Sequence, residues 1–373
     1  MPYMYVELKD INKHFGDFHV ANNVNFGIEQ GSLVALLGPS GSGKTTILRM
    51  IAGLENPDSG DIIIDGKRVN NIAPAERGIG FVFQNYALFR YMTVYDNIAF
   101  GLELKKMPKD KIKERVNELL ALTNLNGLEK RYPNQLSGGQ RQRVAFARAI
   151  APNPSLLLLD EPFAAIDAKV RQELRTWLRQ MIYKVGITSI FVTHDQDEAV
   201  EVADRIIITN KGCIEQIGSP IEIYKTPETP FVTEFIGQSA VIEDYHRLNG
   251  FEKGDYKGAV IRPEFVEAFK SDNQKFKNVI DISEEGEITD ILFRGNSLEL
   301  TIDLNGVPIT VHRSLERREV RVGEKMRVLI FKLFAFDDEK AYLLENSKLK
   351  ERNINNEHLE SYLYNENTNS FVI

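Results

Sequence analysis

The sequence predicts an α/β fold with a parallel sheet, flanked by an antiparallel β subdomain, interrupted by a helical lobe and followed by a second, β-rich domain. Three observations predict it. Buried-type apolar runs at Leu33 to Leu37, Leu156 to Leu159, Ile190 to Val192 and Ile206 to Ile208 are separated by helical patterns, as crossover connections require. A glycine-rich stretch follows the first of these runs. From about residue 237 the texture changes to strict alternation and turn signals. A chain of 373 residues also exceeds the usual span of one hydrophobic core.

The elements follow in order. Before the first parallel strand come short alternating stretches, such as Val24, Phe26 and Ile28, split by Gly16 and Gly27, which read as antiparallel strands. Ile112, Val116, Leu119 and Leu120 recur at i, i+4, i+7 and i+8, the stripe of an amphipathic helix, and place a helical lobe at roughly 90 to 155 within a first domain of residues 1–236. Past IYKTPETPF, Leu298, Leu300, Ile302 and Leu304 alternate with polar residues, Asn305-Gly306 supplies a tight turn, and Val307, Ile309 and Val311 return. With GEITDILF and MRVLIFK beside it, this hairpin predicts a small antiparallel barrel or sandwich over 237–345. Within it, His312, Arg313, Arg317 and Arg318 read as a solvated surface. Residues 346–373 have too little apolar content to build a core and read as a polar tail.

Composition narrows the function. With 53 acidic against 46 basic residues, the chain carries −7, which argues against nucleic acid as a partner. One cysteine, Cys213, cannot form an internal disulfide, and no charged-then-apolar leader is seen, so a reducing, cytoplasmic setting is expected. No apolar run reaches the ~18 residues of a spanning helix, so any membrane role is expected to go through partner proteins.

The chemistry begins at GPSGSGKTT, which is Gly38, Pro39, Ser40, Gly41, Ser42, Gly43, Lys44, Thr45 and Thr46. It fits G-x-x-x-x-G-K-[ST] between an apolar strand and a helix, where backbone amides and the helix N-terminus surround phosphate oxygens. Lys44 is expected on the β and γ phosphates and Thr45 on Mg²⁺. LLLLDE, residues 156 to 161, brings two carboxylates to the end of a buried strand: Asp160 to hold Mg²⁺ and Glu161 to orient and deprotonate water. Gln84 and His194 follow two further strand patterns. The glutamine can position water or reach Mg²⁺, and the histidine can hydrogen-bond a γ-phosphate.

In LSGGQ, residues 136 to 140, Ser137 is a good N-cap, and Gly138 and Gly139 let amides approach a ligand ahead of a helix whose Val144, Ala147 and Ala151 face inward. The order of phosphate loop, Gln84, LSGGQ, LLLLDE and His194 closely resembles the ATP-binding subunits of ABC transporters. That resemblance implies a P-loop ABC ATPase fold, ATP and Mg²⁺ as ligands, and a head-to-tail pair of chains. Ser137, Gly138, Gly139 and Gln140 of one chain would close on the nucleotide of the other. It also implies that Phe15 stacks on adenine and that Asp167 lies in a loop crossing the pair. Gln84 and NYALFRYMTVYDNIAF would couple the site to two transmembrane permease subunits, with Tyr86, Phe89, Tyr91 and Tyr95 as exposed aromatics and an extracytoplasmic binding protein as an indirect partner. Such a chain would sit peripherally on the cytoplasmic face of the membrane. YALFRYMTVYDNIAFGL, EPFAAIDAKVRQELRTWLRQ and FVTHDQDEAVEVADRI are most similar to the sulfate/thiosulfate importer ATPases, and VIRPEFV with the β-rich end resembles their OB-like regulatory domain.

Overall fold

The computed structural model describes residues 3–164, 167–237 and 241–352. The chain parts into two compact units, one up to Ile223 and the other from Tyr224.

In the first unit the four apolar runs form the centre of a six-stranded sheet. In spatial order its strands are Cys213–Gly218, Arg205–Asn210, Leu33–Leu37, Thr188–Thr193, Leu156–Asp160 and Ile79–Val82. All pairings are parallel except the outermost, where Cys213–Gly218 runs antiparallel. Leu33–Leu37 and Leu156–Asp160 are buried along their whole length, which is why neither shows polar alternation. A second, antiparallel sheet pairs Phe18–Glu29, Met4–Phe15, Ser59–Ile64 and Lys67–Arg68. Val6, Leu8, Ile11, Val24 and Ile62 from this sheet share a core with Val34, Leu36, Leu158 and Val192 from the other and with Ile47, Leu48 and Ile51 of the helix Lys44–Ala52.

Arg77 locks the far end of that helix. Its guanidinium donates to the carbonyls of Met50 and Ile51, both at 2.9 Å, and of Ile72 at 2.9 Å. The Met50 and Ile51 carbonyls lie in the last turn, where only the Gly53 cap amide reaches Met50, at 3.1 Å, so a buried cation suits them in both hydrogen bonding and dipole. Arg77→Met is therefore expected to destabilise the protein by about 2–3 kcal/mol, read as a lower urea midpoint with unchanged slope; an unchanged midpoint would reject the clamp.

Helices Val94–Leu104, Lys109–Leu122 and Gly138–Ile150 supply the lobe. Thr93 and Asp96 cap the first reciprocally, and Ile112, Val116, Leu119 and Leu120 are the buried face of the second.

In the second unit, Val266–Phe269, Lys325–Ile330, Glu284–Phe293, Ser297–Leu304 and Val307–Ser314 form, in that order, an antiparallel sheet. Its two edge strands approach one another, giving the nearly closed, OB-like barrel. The Asn305-Gly306 turn is as expected: both residues have positive φ, and Leu304 pairs with Val307, Ile302 with Ile309 and Leu300 with Val311. A four-stranded sheet of Val241–Ile242, Gly258–Val260, Lys332–Phe336 and Ala341–Glu345 completes the unit.

Two expectations about this unit change. Arg313 is 6% exposed rather than solvated. Side chains alternate along a strand, and Arg313 continues the inward set of Val307, Ile309 and Val311. Arg317 is ion-paired with Glu267, while His312 and Arg318 do face solvent. At the start of the polar tail, Asn346 is buried and donates to the carbonyls of Asn249 and Ile330, both at 2.9 Å, ahead of a short helix Ser347–Glu351. The remainder of that tail lies outside the described residues.

Candidate nucleotide site

The phosphate loop is shaped by its glycines and pinned by its lysine. Gly43 has φ +94°, and a Cβ there would lie 2.2 Å from the Val20 carbonyl oxygen, so only glycine fits. The helix Lys44–Ala52 starts without any side-chain cap, which leaves its first amides to a ligand. The Lys44 ammonium donates to the carbonyls of Gly38 at 2.9 Å and Pro39 at 2.8 Å and reaches Ser42 Oγ at 3.3 Å. Burial pushes its pKa down, against the pull of Glu161 and Asp160. Ser42 Oγ also shares a hydrogen bond of 2.8 Å with Thr209 Oγ1 from the neighbouring strand. Thr209 carried no motif and was missed by sequence reasoning.

At the next strand end, Thr45 Oγ1 donates to Asp160 Oδ1 at 2.9 Å. A hydroxyl and a carboxylate side by side, next to a phosphate loop, fit Mg²⁺, which keeps most of its shell from water and phosphate. Burial raises the Asp160 pKa, offset in part by Thr45, Arg49 and Lys44. For an acid, a folded pKa above the unfolded value near 3.8 means a stability contribution that is present below about pH 3.8 and lost as pH rises through the folded value. At neutral pH the ionised Asp160 thus destabilises the nucleotide-free chain. Asp160→Asn is expected to raise the melting temperature at pH 7 without nucleotide and to abolish further stabilisation by Mg²⁺ with ATP. A fall in melting temperature would contradict this.

Glu161 turns out of the strand with φ +45°, a costly conformation for glutamate. Its two oxygens are held from opposite sides: Gln84 Nε2 donates to Oε2 at 2.7 Å, and His194 Nδ1 lies 3.5 Å from Oε1. The strand ends carrying Gln84, Glu161 and His194 belong to one parallel sheet, which explains why residues so distant in sequence meet. A carboxylate so placed beside a lysine-bearing phosphate loop can orient water for attack on a terminal phosphate.

The structure thus joins Lys44, Thr45, Asp160, Glu161, Gln84 and His194. It does not bring Phe15 or LSGGQ into that cluster. Phe15 is half exposed at its strand end, with the Lys13 ammonium 5.1 Å from its ring centroid. LSGGQ opens its own helix. Ser137 Oγ accepts from the Gln140 amide at 3.2 Å, and Gln140 Oε1 accepts from the Ser137 amide at 2.9 Å. Asp167 caps the helix Ala168–Val185 from an exposed position.

Beyond Gln84 the expectation of four exposed aromatics is corrected. Tyr91 is 96% exposed and Phe89 is exposed, but Tyr95 is half-buried and Tyr86 is buried. Tyr86 and Ala87 both have positive φ, and this turn swings the tyrosine inward. Arg148, from the LSGGQ helix, holds the turn by donating to the carbonyls of Tyr86 at 2.8 Å and Ala87 at 2.7 Å, and it lies over the Phe89 ring. Nothing local in the sequence marks Arg148 for this task. Beside the turn opens a groove of about 980 Å³, walled by Tyr86, Arg90, Tyr91, Tyr132 and Arg141.

Residues 21–164 match the family described as ABC transporter. The sulfate/thiosulfate import ATP-binding protein CysA of Neisseria meningitidis serogroup B is 47% identical over 348 residues, covering 88% of this chain and 97% of that protein. The protein of the same name from Synechococcus elongatus is 59% identical over 237 residues, covering 64% of this chain and 69% of that protein. Among solved structures, a dimeric ATP-binding cassette in a post-hydrolysis state bound to ADP and Pi is 35% identical with a TM-score of 0.52, covering 58% of this chain and 98% of that one. The cbiO1 protein of Clostridium perfringens, part of an ABC transporter complex, is 31% identical with a TM-score of 0.55 and covers 60% of this chain and 91% of that one.

Proposed function

This chain belongs to the ATP-binding subunits of ABC transporters, and from that premise we propose that it is the ATP-hydrolysing motor of an importer for sulfate or thiosulfate. The observation that carries the chemistry is the Glu161 carboxylate, held between Gln84 and His194 on the strand that also presents Asp160 to Thr45. The cargo follows from relatives named for sulfate/thiosulfate import, one of them matched over nearly its whole length.

In this reading the phosphate loop and Lys44 bind the ATP phosphates, while Thr45 and Asp160 hold Mg²⁺, which neutralises phosphate charge during transfer. Glu161 takes the proton of the attacking water, Gln84 orients that carboxylate and senses the metal side, and His194 contacts the γ-phosphate. Phe15 stacks on the adenine. Two copies pack head to tail, so that Ser137, Gly138, Gly139 and Gln140 of each close on the nucleotide of the other. Binding then favours the closed pair and hydrolysis reopens it. No described helix is long and apolar enough to cross a membrane. In this reading the motion acts on two transmembrane subunits at the cytoplasmic face, docked where Arg90 and Tyr91 wall the groove, with a binding protein delivering cargo from outside.

The test is uptake of labelled sulfate by cells dependent on this protein or on its Glu161→Gln variant, with molybdate and spermidine in parallel. Loss of sulfate uptake alone is expected. Loss of molybdate or spermidine uptake instead would keep the motor and reassign the cargo, and no change in any would reject transport.

A further inference from the structure

The His194 side chain is 56% exposed. Packing therefore does little to aim its ring, and the backbone on either side sets its direction. Both neighbours are tied into a buried polar network that the nucleotide chemistry above does not use. Thr193 Oγ1 accepts from the Asp195 amide at 3.0 Å and donates to Glu198 Oε2. Asp195 Oδ1 accepts from the Glu198 amide at 3.1 Å and so caps the helix Gln196–Val202. His194 sits inside this braced turn.

Arg175, from the helix Ala168–Val185, closes the network. Its guanidinium donates to Asp195 Oδ2 at 3.4 Å and to Glu201 Oε2 at 3.3 Å, and it lies 3.7 Å from Glu198 Oε1. One turn earlier, Arg171 lies 3.8 Å from Asp195 Oδ2. Arg175 and Glu198 are both buried. Burial pushes the Glu198 carboxyl up; the Thr193 hydroxyl opposes this, Asp195 adds to it, and Arg175 and Arg171 oppose it. A carboxylate at that depth is stable only with a cation beside it. The planar fork of a guanidinium can face several carboxylates at once, which a single ammonium does poorly.

We propose that Arg175 is a positioning residue: by holding Asp195 and Glu198 it fixes the backbone on both sides of His194 and aims the ring at the terminal phosphate beside Glu161. The proposal rests on the reading that His194 contacts the γ-phosphate. Arg175 itself touches neither nucleotide nor metal in this role. Its effect passes through the turn.

The test uses the full chain with Mg²⁺. In Arg175→Gln, hydrolysis at saturating ATP is expected to slow by about ten- to a hundredfold, the cost of one charge-assisted contact. The affinity for fluorescent ADP, which has no γ-phosphate, is expected to hold. Added to His194→Ala, Arg175→Gln is expected to slow hydrolysis no further, because residues that act through one contact are not additive. Should Arg175→Gln fail to fold, Thr193→Val takes its place in the same cycle, since it removes the bracing hydroxyl and leaves every buried charge paired. Full additivity in the double variant, or a loss of ADP affinity as large as the loss of turnover, would overturn the proposal and leave the network a structural brace. A slow His194→Ala beside an unimpaired Arg175→Gln would overturn the proposal alone. Hydrolysis by His194→Ala at the unaltered rate would remove His194 from the γ-phosphate and take the proposal with it.

Discussion

Glu161→Gln is expected to retain ATP binding while slowing hydrolysis by about 10²- to 10⁴-fold, the span associated with losing a general base. The substitution keeps the size and shape of the side chain, and an amide oxygen can still accept from Gln84, so the surrounding geometry should survive. What disappears is the capacity to take a proton from water. Because the bound nucleotide is then not consumed, the variant should accumulate as an ATP-dependent dimer, visible by size-exclusion chromatography and absent when ADP replaces ATP. Turnover equal to that of the unaltered protein would remove Glu161 from the role of base. Loss of ATP binding along with turnover would instead mean that the residue shapes the pocket.

A second large effect is expected at Gly43, for a steric reason. Its φ of +94° is disfavoured for any residue with a Cβ, and that atom would stand 2.2 Å from the Val20 carbonyl oxygen, a backbone atom that cannot swing aside. Gly43→Ala must therefore push the loop away from the strand Phe18–Glu29 and tilt the first amides of the helix that follows. Nucleotide affinity should fall at least 100-fold, equivalent to about 2.7 kcal/mol, and the melting temperature should fall with it. Gly41→Ala is the informative comparison. Gly41 also has a positive φ, +82°, but nothing lies within 4 Å of the added carbon. It carries only the backbone term of about 1–2 kcal/mol. Equal defects in a fluorescent-nucleotide titration would show that the clash with Val20 is not what matters.

Much of the candidate site was legible in the sequence, because its parts are repeats of one physical pattern. Apolar runs such as LVALL and LLLLD could only be strands buried on both faces, and in a parallel sheet the polar residue after each run must arrive at the same edge. Hence Lys44, Gln84, Asp160, Glu161 and His194 could be grouped before any coordinates. Residues that act through the backbone of others were not legible. Arg148 holds two carbonyls some sixty positions earlier, and Thr209 buttresses Ser42 from a strand without a motif. Tyr86 was misplaced because exposure was judged from residue type, whereas two successive positive φ angles turn it inward. Arg313 is the most instructive error. The alternation Val307, Ile309, Val311 already placed it on the inner face, and only the habit of assigning arginine to solvent concealed it.

The grip of Arg148 on Tyr86 and Ala87 also bears on how the site communicates. Gln84 touches the Glu161 carboxylate, and two residues later the chain is tied to the helix that LSGGQ opens. Left-handed backbone at two consecutive non-glycine positions costs of order 1–3 kcal/mol each, and the Arg148 tie opposes that cost together with the turn's own bonds from the Tyr86 amide to Phe83 and from the Ala87 amide to Asn85. Gln84 and the LSGGQ helix are therefore joined through one short, strained turn rather than standing as two independent parts.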